Sequence, residues 1–124
     1  MLALKAQTAK LSETSTFIFD EIDAGISGVT AKVVAEKLAK ISNKVQVIAI
    51  SHIPQISAMA DNNLLIEKVD DGERSITKIK KLTEEEKIKE ISRLVSGNCD
   101  SKASIASAKE LIEKSNEYKI KKDL

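Results

Sequence analysis

The sequence predicts an α/β fold: a parallel βαβ core followed by a β-hairpin and two C-terminal helices. Three observations predict it. Phe17-Ile18-Phe19 and the run from Val45 to Ile50 are apolar, rich in β-formers and too short for helices. Between them, Val29 to Ile41 repeats apolar residues at helical spacing. The links are short, so the strands are expected to run parallel with a right-handed crossover. Continuous apolar strands of this kind are expected to be buried on both faces.

Composition bounds the rest. The 124 residues suffice for one domain with a modest core, and 42% hydrophobic with 31% charged residues describes a soluble globular chain. No run approaches a membrane span, and the N-terminus lacks the apolar core of a signal peptide, so no membrane contact is expected. A single cysteine, Cys99, allows neither an internal disulfide nor a metal cluster, and the expected compartment is the cytoplasm. The formal net charge of +1 gives no global electrostatic footprint for nucleic acid. With aromatics at 2%, no base-stacking platform is expected.

Taken in order, Met1 to Leu11 reads as the end of a helix with no capping residue before it, and Ser12 to Ser15 as a polar loop. The first strand then stops on adjacent carboxylates, Asp20 and Glu21. Acids at the carboxyl end of a parallel strand lie where ligands gather in open α/β sheets. An apolar strand ending in Asp-Glu has the form of a Walker B segment, in which the Asp holds Mg²⁺ and the Glu polarises the attacking water. The alternative is a strand leaving the core beside ordinary solvated acids. Gly25 and Gly28 permit a tight loop, and Ser27 is placed to cap the helix, whose inward residues are expected to be Val29, Val33, Val34, Leu38 and Ile41.

The second strand runs into Ser51-His52-Ile53-Pro54-Gln55. His52, the one histidine in the chain, should emerge on the same sheet edge as Asp20 and Glu21. Pro54 suits the first turn of a short helix carrying Ile56 and Met59 inward. Leu64 to Val69 reads as a strand, Asp70 to Glu73 as a hairpin turn, and Arg74 to Leu82 as a strand exposed on one face. Thr83 to Glu86 forms a capping box for a helix with Ile88, Ile91, Leu94 and Val95 inward, ended by Gly97. Ser101 to about Tyr118 is the last helix, with Ile105, Ala108, Leu111 and Ile112 inward, and Lys119 to Lys122 a solvated, frayed tail.

"FIFDEIDAGISG", the following helix, "VQVIAISHIPQIS" and the hairpin together resemble the C-terminal end of SMC-like, ABC-type ATPase heads, in the branch that serves bacterial DNA double-strand-break repair. The resemblance runs from Met1 to about Glu113. It implies that Asp20 is the magnesium residue, Glu21 the catalytic glutamate, and His52 the switch histidine sensing the γ-phosphate. It implies that Asp23, Gly25, Ser27 and Gly28 form the D-loop, which crosses to a second head in an ATP-bound homodimer. Many ABC and SMC proteins carry Asp where this chain has Ser27, but the repair branch shares "GISG".

The 124 residues contain neither a Gly-x-x-x-x-Gly-Lys-Ser/Thr phosphate loop nor a Ser-Gly-Gly-Glu signature. The chain is therefore expected to be the distal part of a partial P-loop head. Residues 1–11 would end the signature helix, 16–61 form the Walker B, D-loop and switch-histidine core, 62–82 the hairpin, and 83–118 the helical end. ATP and Mg²⁺ are expected in the intact protein and not on the fragment, and DNA only through the intact protein. The resemblance also implies that a phosphate-loop strand belongs between the second and third strands. Without it, the chain should either close that gap or pair its open strand edges with a second copy. Two other readings compete: the head of a chromosome-organising SMC-like ATPase, and a non-ATPase Mg²⁺-binding signalling module. The latter usually needs a Lys at a later strand end, where Lys68 does not lie.

Overall fold

The computed structural model describes residues 16–22, 24–97 and 100–123. The helix expected over Met1 to Leu11 and the D-loop residue Asp23 lie outside them. The elements follow the order β1 (Thr16–Asp20), α1 (Gly28–Ser42), β2 (Gln46–Ile50), α2 (Pro54–Met59), β3 (Leu64–Asp70), β4 (Ser75–Lys81), α3 (Glu84–Ser96) and α4 (Lys102–Lys121). β1 and β2 pair in parallel with Phe17 opposite Val47 and Asp20 opposite Ile50. β3 and β4 pair antiparallel, Leu64 opposite Lys81 and Asp70 opposite Ser75. The two pairs are separate two-stranded sheets. Within the single chain the expected gap between β2 and β3 is therefore not closed.

The period-two alternation of a strand decides which side chains reach the core. Phe19 is buried with Ala35, Leu38 and Ala39 of α1 and Ile56 and Met59 of α2, and Phe17, Val47 and Tyr118 pack against this cluster. The Phe17 and Phe19 rings meet edge to face, their centroids 6.4 Å apart. The opposite face carries Ile18, 61% exposed, with Ile48 and Ile50 also exposed. The expectation of strands buried on both faces is thus corrected. Among the described residues the helices cover one face of this sheet, and every second apolar residue faces away from them.

Of the residues expected inward on α1, Leu38 and Ile41 are buried and Val34 packs against the core, while Val29 and Val33 are not inward. Ala31, Ala35, Leu38, Ala39 and Ile41 are buried, whereas Val29 and Val33 are exposed. Ala35, Leu38 and Ala39 pack with Phe19 of β1 and with Ile56 and Met59 of α2. Ser27 occupies the N-cap position but makes no side-chain cap bond; its hydroxyl lies 3.4 Å from that of Thr30 instead.

The hairpin also departs from expectation, since all seven residues of β4 are exposed and neither face is covered. The Leu82 N–H closes its base by donating to the Asn63 carbonyl over 2.9 Å; it is tied to the body by the Asn63 side-chain amide, which donates to the Ser57 carbonyl over 2.9 Å, and by Lys80, which pairs with Glu86. That ion pair raises the Lys80 ammonium and lowers the Glu86 carboxyl from their usual ranges. Glu86 in turn completes the capping box of α3. Its backbone N–H donates to the Thr83 hydroxyl while its carboxylate accepts from the Thr83 N–H. Gly97 ends α3 at φ +74°, a left-handed conformation that suits glycine.

α3 and α4 build a second cluster of Ala58, Ile91, Ala108 and Ile112. Val95, expected inward, is exposed, while the same last turn of α3 meets α4 through the Ser96 and Ser104 hydroxyls, 2.5 Å apart. The basic end of the chain is not a frayed tail. α4 continues to Lys121, and Lys119 reaches Asp61 over 3.0 Å. No helix among the described residues is long and apolar enough to cross a membrane.

Two substitutions separate the two faces of the β1–β2 sheet. Phe19→Ala is expected to cost about 3–5 kcal/mol in urea unfolding, whereas Ile18→Ala costs less than about 1 kcal/mol. Equal losses would show that both faces are buried. Thr83→Ala removes the cap and is expected to cost about 1 kcal/mol in the same measurement.

Candidate active site at the carboxyl ends of β1 and β2

Parallel pairing in register brings the sequence-predicted residues to one edge. Because Asp20 stands opposite Ile50, the chain leaves both strands at the same level, with Glu21 continuing from one and Ser51-His52 from the other. Asp20, Glu21 and His52 are all exposed there. Asp20 shares its face with Thr16 and Ile18. That parity agrees with the hydrogen bond from the Thr16 hydroxyl to the Gln46 side-chain carbonyl across the sheet, 3.0 Å. The side chain of Asp20 therefore stands on the uncovered face, and Phe19 anchors the strand from the other.

Glu21 has φ +52°, a left-handed conformation that is costly for a residue with a Cβ. It turns the chain sharply off the strand, and the Ala24 N–H closes the turn onto the Glu21 carbonyl at 3.2 Å. Strain of this kind concentrates at functional sites, where it fixes a side chain in a direction that a relaxed strand end would not give. Nothing in the sequence signals it, since Glu is an ordinary choice at a strand end and an unusual one at positive φ. Gly25 follows at φ +74°, where glycine is the comfortable residue.

Opposite, the Ile53 N–H donates to the Ser51 hydroxyl over 3.0 Å, a local turn that holds His52 between β2 and α2. A Cβ built on Gly28 would lie 3.7 Å from the Gln55 side-chain nitrogen, so the start of α1 sits against the first turn of α2. Gln55 thus joins the Ser27–Gly28 segment to the histidine segment. It belongs to the run Ser51-His52-Ile53-Pro54-Gln55, three residues after His52, and that nearness was the available signal.

Among the described residues no three His, Cys, Asp or Glu side chains gather into a cluster able to hold a metal ion. One or two carboxylates at an exposed strand end suit a hard cation that takes its other oxygens from phosphate and water, which is the habit of Mg²⁺. Asp20 with Glu21 beside it fits that donor set. A cavity of about 70 Å³ lined by Ala39, Ser42, Asn43, Met59, Asp61 and Lys119 lies at the other end of α1 and touches none of these residues. Asp20, Glu21 and His52 therefore stand on an open edge.

No protein-family model matches the chain. Among curated proteins it is 39% identical over 113 residues to DNA repair protein RecN of Streptomyces coelicolor, covering 91% of this chain and 20% of that protein. Against RecN of Halalkalibacterium halodurans it is 42% identical over 113 residues, with the same coverage of 91% and 20%. Against RecN of Bacillus subtilis it is 39% identical over 119 residues, covering 96% and 21%. The chain spans about a fifth of the length of these relatives. Among solved structures it is similar to a chain from work on ATP-driven dimerization and DNA-stimulated activation of SMC ATPases. The TM-score is 0.62 at 25% identity, covering 77% of this chain and 56% of that one.

Replacing Glu21 by glycine relieves the left-handed strain of about 1–2 kcal/mol, partly offset by about 0.5–1 kcal/mol of glycine backbone entropy. Glu21→Gly is therefore expected to unfold at equal or higher urea concentration than the wild type, and Glu21→Val at lower. The reverse order would show that residue 21 is not held at positive φ.

Proposed function

We propose that this chain, which matches a C-terminal portion of DNA repair protein RecN, is the Walker B-bearing part of an SMC-like ATPase head acting in DNA damage repair and recombination. The observation that carries the reading is the in-register parallel pair, which presents Asp20-Glu21 and Ser51-His52 on one edge. Sequence similarity over about nine-tenths of the chain and the SMC ATPase fold support it.

In this reading Asp20 would hold Mg²⁺, which would supply charge neutralisation to the phosphates of ATP. Glu21 orients the attacking water and accepts its proton, from a residue whose left-handed backbone turns the chain off the end of the strand. His52 contacts the γ-phosphate from the neighbouring strand end. Asp23, Gly25, Ser27 and Gly28 form the D-loop toward a second head of a homodimer. The phosphate cradle comes from the remainder of the head, which would cover the open face bearing Ile18, Ile48 and Ile50. DNA is met by the intact protein, in the bacterial cytoplasm at the nucleoid.

The chain by itself is expected to hydrolyse no ATP above background, because backbone N–H groups and a Lys must cradle the phosphates. In the intact protein, Glu21→Gln should retain ATP binding and lower turnover by about 10²-fold or more, and His52→Ala should lower turnover as well. Steady-state ATPase and nucleotide-binding assays check both. Wild-type turnover in both variants would overturn the assignment.

A further inference from the structure

α2 is six residues long and lies between the two cores. Ile56 and Met59 belong to the cluster beneath the β1–β2 sheet, and Ala58, fully buried, belongs to the cluster of α3 and α4. At about 1.5 Å per residue the helix is about 9 Å long, so its two ends cannot move independently. His52 lies two residues before its first residue, Pro54.

The far end of α2 is held by two lysines from other elements. Ala60, the C-cap, has extended backbone and a carbonyl left over by the helix. The Lys87 ammonium of α3 donates to that carbonyl over 2.9 Å. Lys87 is only 7% exposed, a rare position for a lysine. Around it stand Glu84, Lys119 and Asp61, and burial holds the ammonium below the usual lysine range. Lys119 of α4 pairs with Asp61, the next residue along. Packing alone would be better served here by an apolar side chain, since desolvating an ammonium costs several kcal/mol unless it is bonded.

We propose that Lys87 is a positioning residue for His52: by holding the Ala60 carbonyl it fixes the axial position of α2, and with it the segment Ser51–Ile53. The role of His52 toward nucleotide rests on the function proposed above, but its placement by Lys87 does not. The test therefore needs no nucleotide. Its failure and the failure of the ATPase reading are distinguishable.

The chain has one histidine, so the Cε1–H resonance of His52 is unambiguous in proton NMR of the full chain. Lys87→Met, which keeps the buried stem and removes the donor, is expected to displace that resonance. Lys87→Arg, which restores a donor, is expected to return it toward wild type. Ile91→Val thins the same helix interface without touching Ala60. It is expected to lower the thermal midpoint and leave the resonance in place. If Lys87→Met superimposes on wild type, or Ile91→Val moves the resonance as far, the proposal is wrong. Should Lys87→Met fail to fold, Lys119→Met decides, through the loss of its pair with Asp61. A displaced His52 resonance supports positioning from this end of α2, and an unmoved one overturns it.

Discussion

The register of β1 against β2 is the constraint on which the rest depends. A slip of one residue would turn Phe17 and Phe19 away from α1 and α2 and drive Ile18 and Asp20 into the core. Phe19 is large and its face is filled, so burial resists that slip by about 1.5–3 kcal/mol for this side chain alone. The same register sets both strand ends at one level. Packing on one face of the sheet thereby places the acids and the histidine that leave it.

Two clusters share a single short element. α2 faces the sheet-side core with Ile56 and Met59 and the helical core with Ala58, and the polar groups at its end are bonded by lysines from α3 and α4. The C-terminal helices therefore have a structural path to the strand edge, although they contribute no residue to it.

Much of this was legible in the sequence. The alternation of Phe17-Ile18-Phe19 with the Val45 to Ile50 run, the Thr83 to Glu86 box and the Gly97 stop all correspond to observed elements, because each rests on a local rule of period or capping. Asp20, Glu21 and His52 were placed on one edge by the parallel βαβ logic, and the pairing puts them there. What failed depends on tertiary context. Hydrophobicity favoured Val29 and Val33 as part of the inward face of α1, whereas the packing of α1 against both the sheet and α2 buries Ala31 and Ala35. An apolar strand does not reveal how many of its faces are covered, so Ile18 and Ile48 were misjudged. Lys119 looked like a tail residue because its partner, Asp61, is 58 positions away. The positive φ of Glu21 has no compositional signature.

The hairpin has a consequence for how the molecule comes apart. Among the described residues β3 and β4 contact each other extensively, and the side-chain bonds that tether them to the body are Asn63–Ser57 at the base and Lys80–Glu86. A two-stranded ribbon with both faces wet is marginal without further support. Its amides should therefore exchange with solvent through local opening, well before those of α1 or α3, as a separate cooperative unit. Tyr118, the one tyrosine of a chain without tryptophan, packs on the sheet-side core. Intrinsic fluorescence would thus record the melting of that core and pass over the ribbon, whose loss only circular dichroism or amide exchange would register.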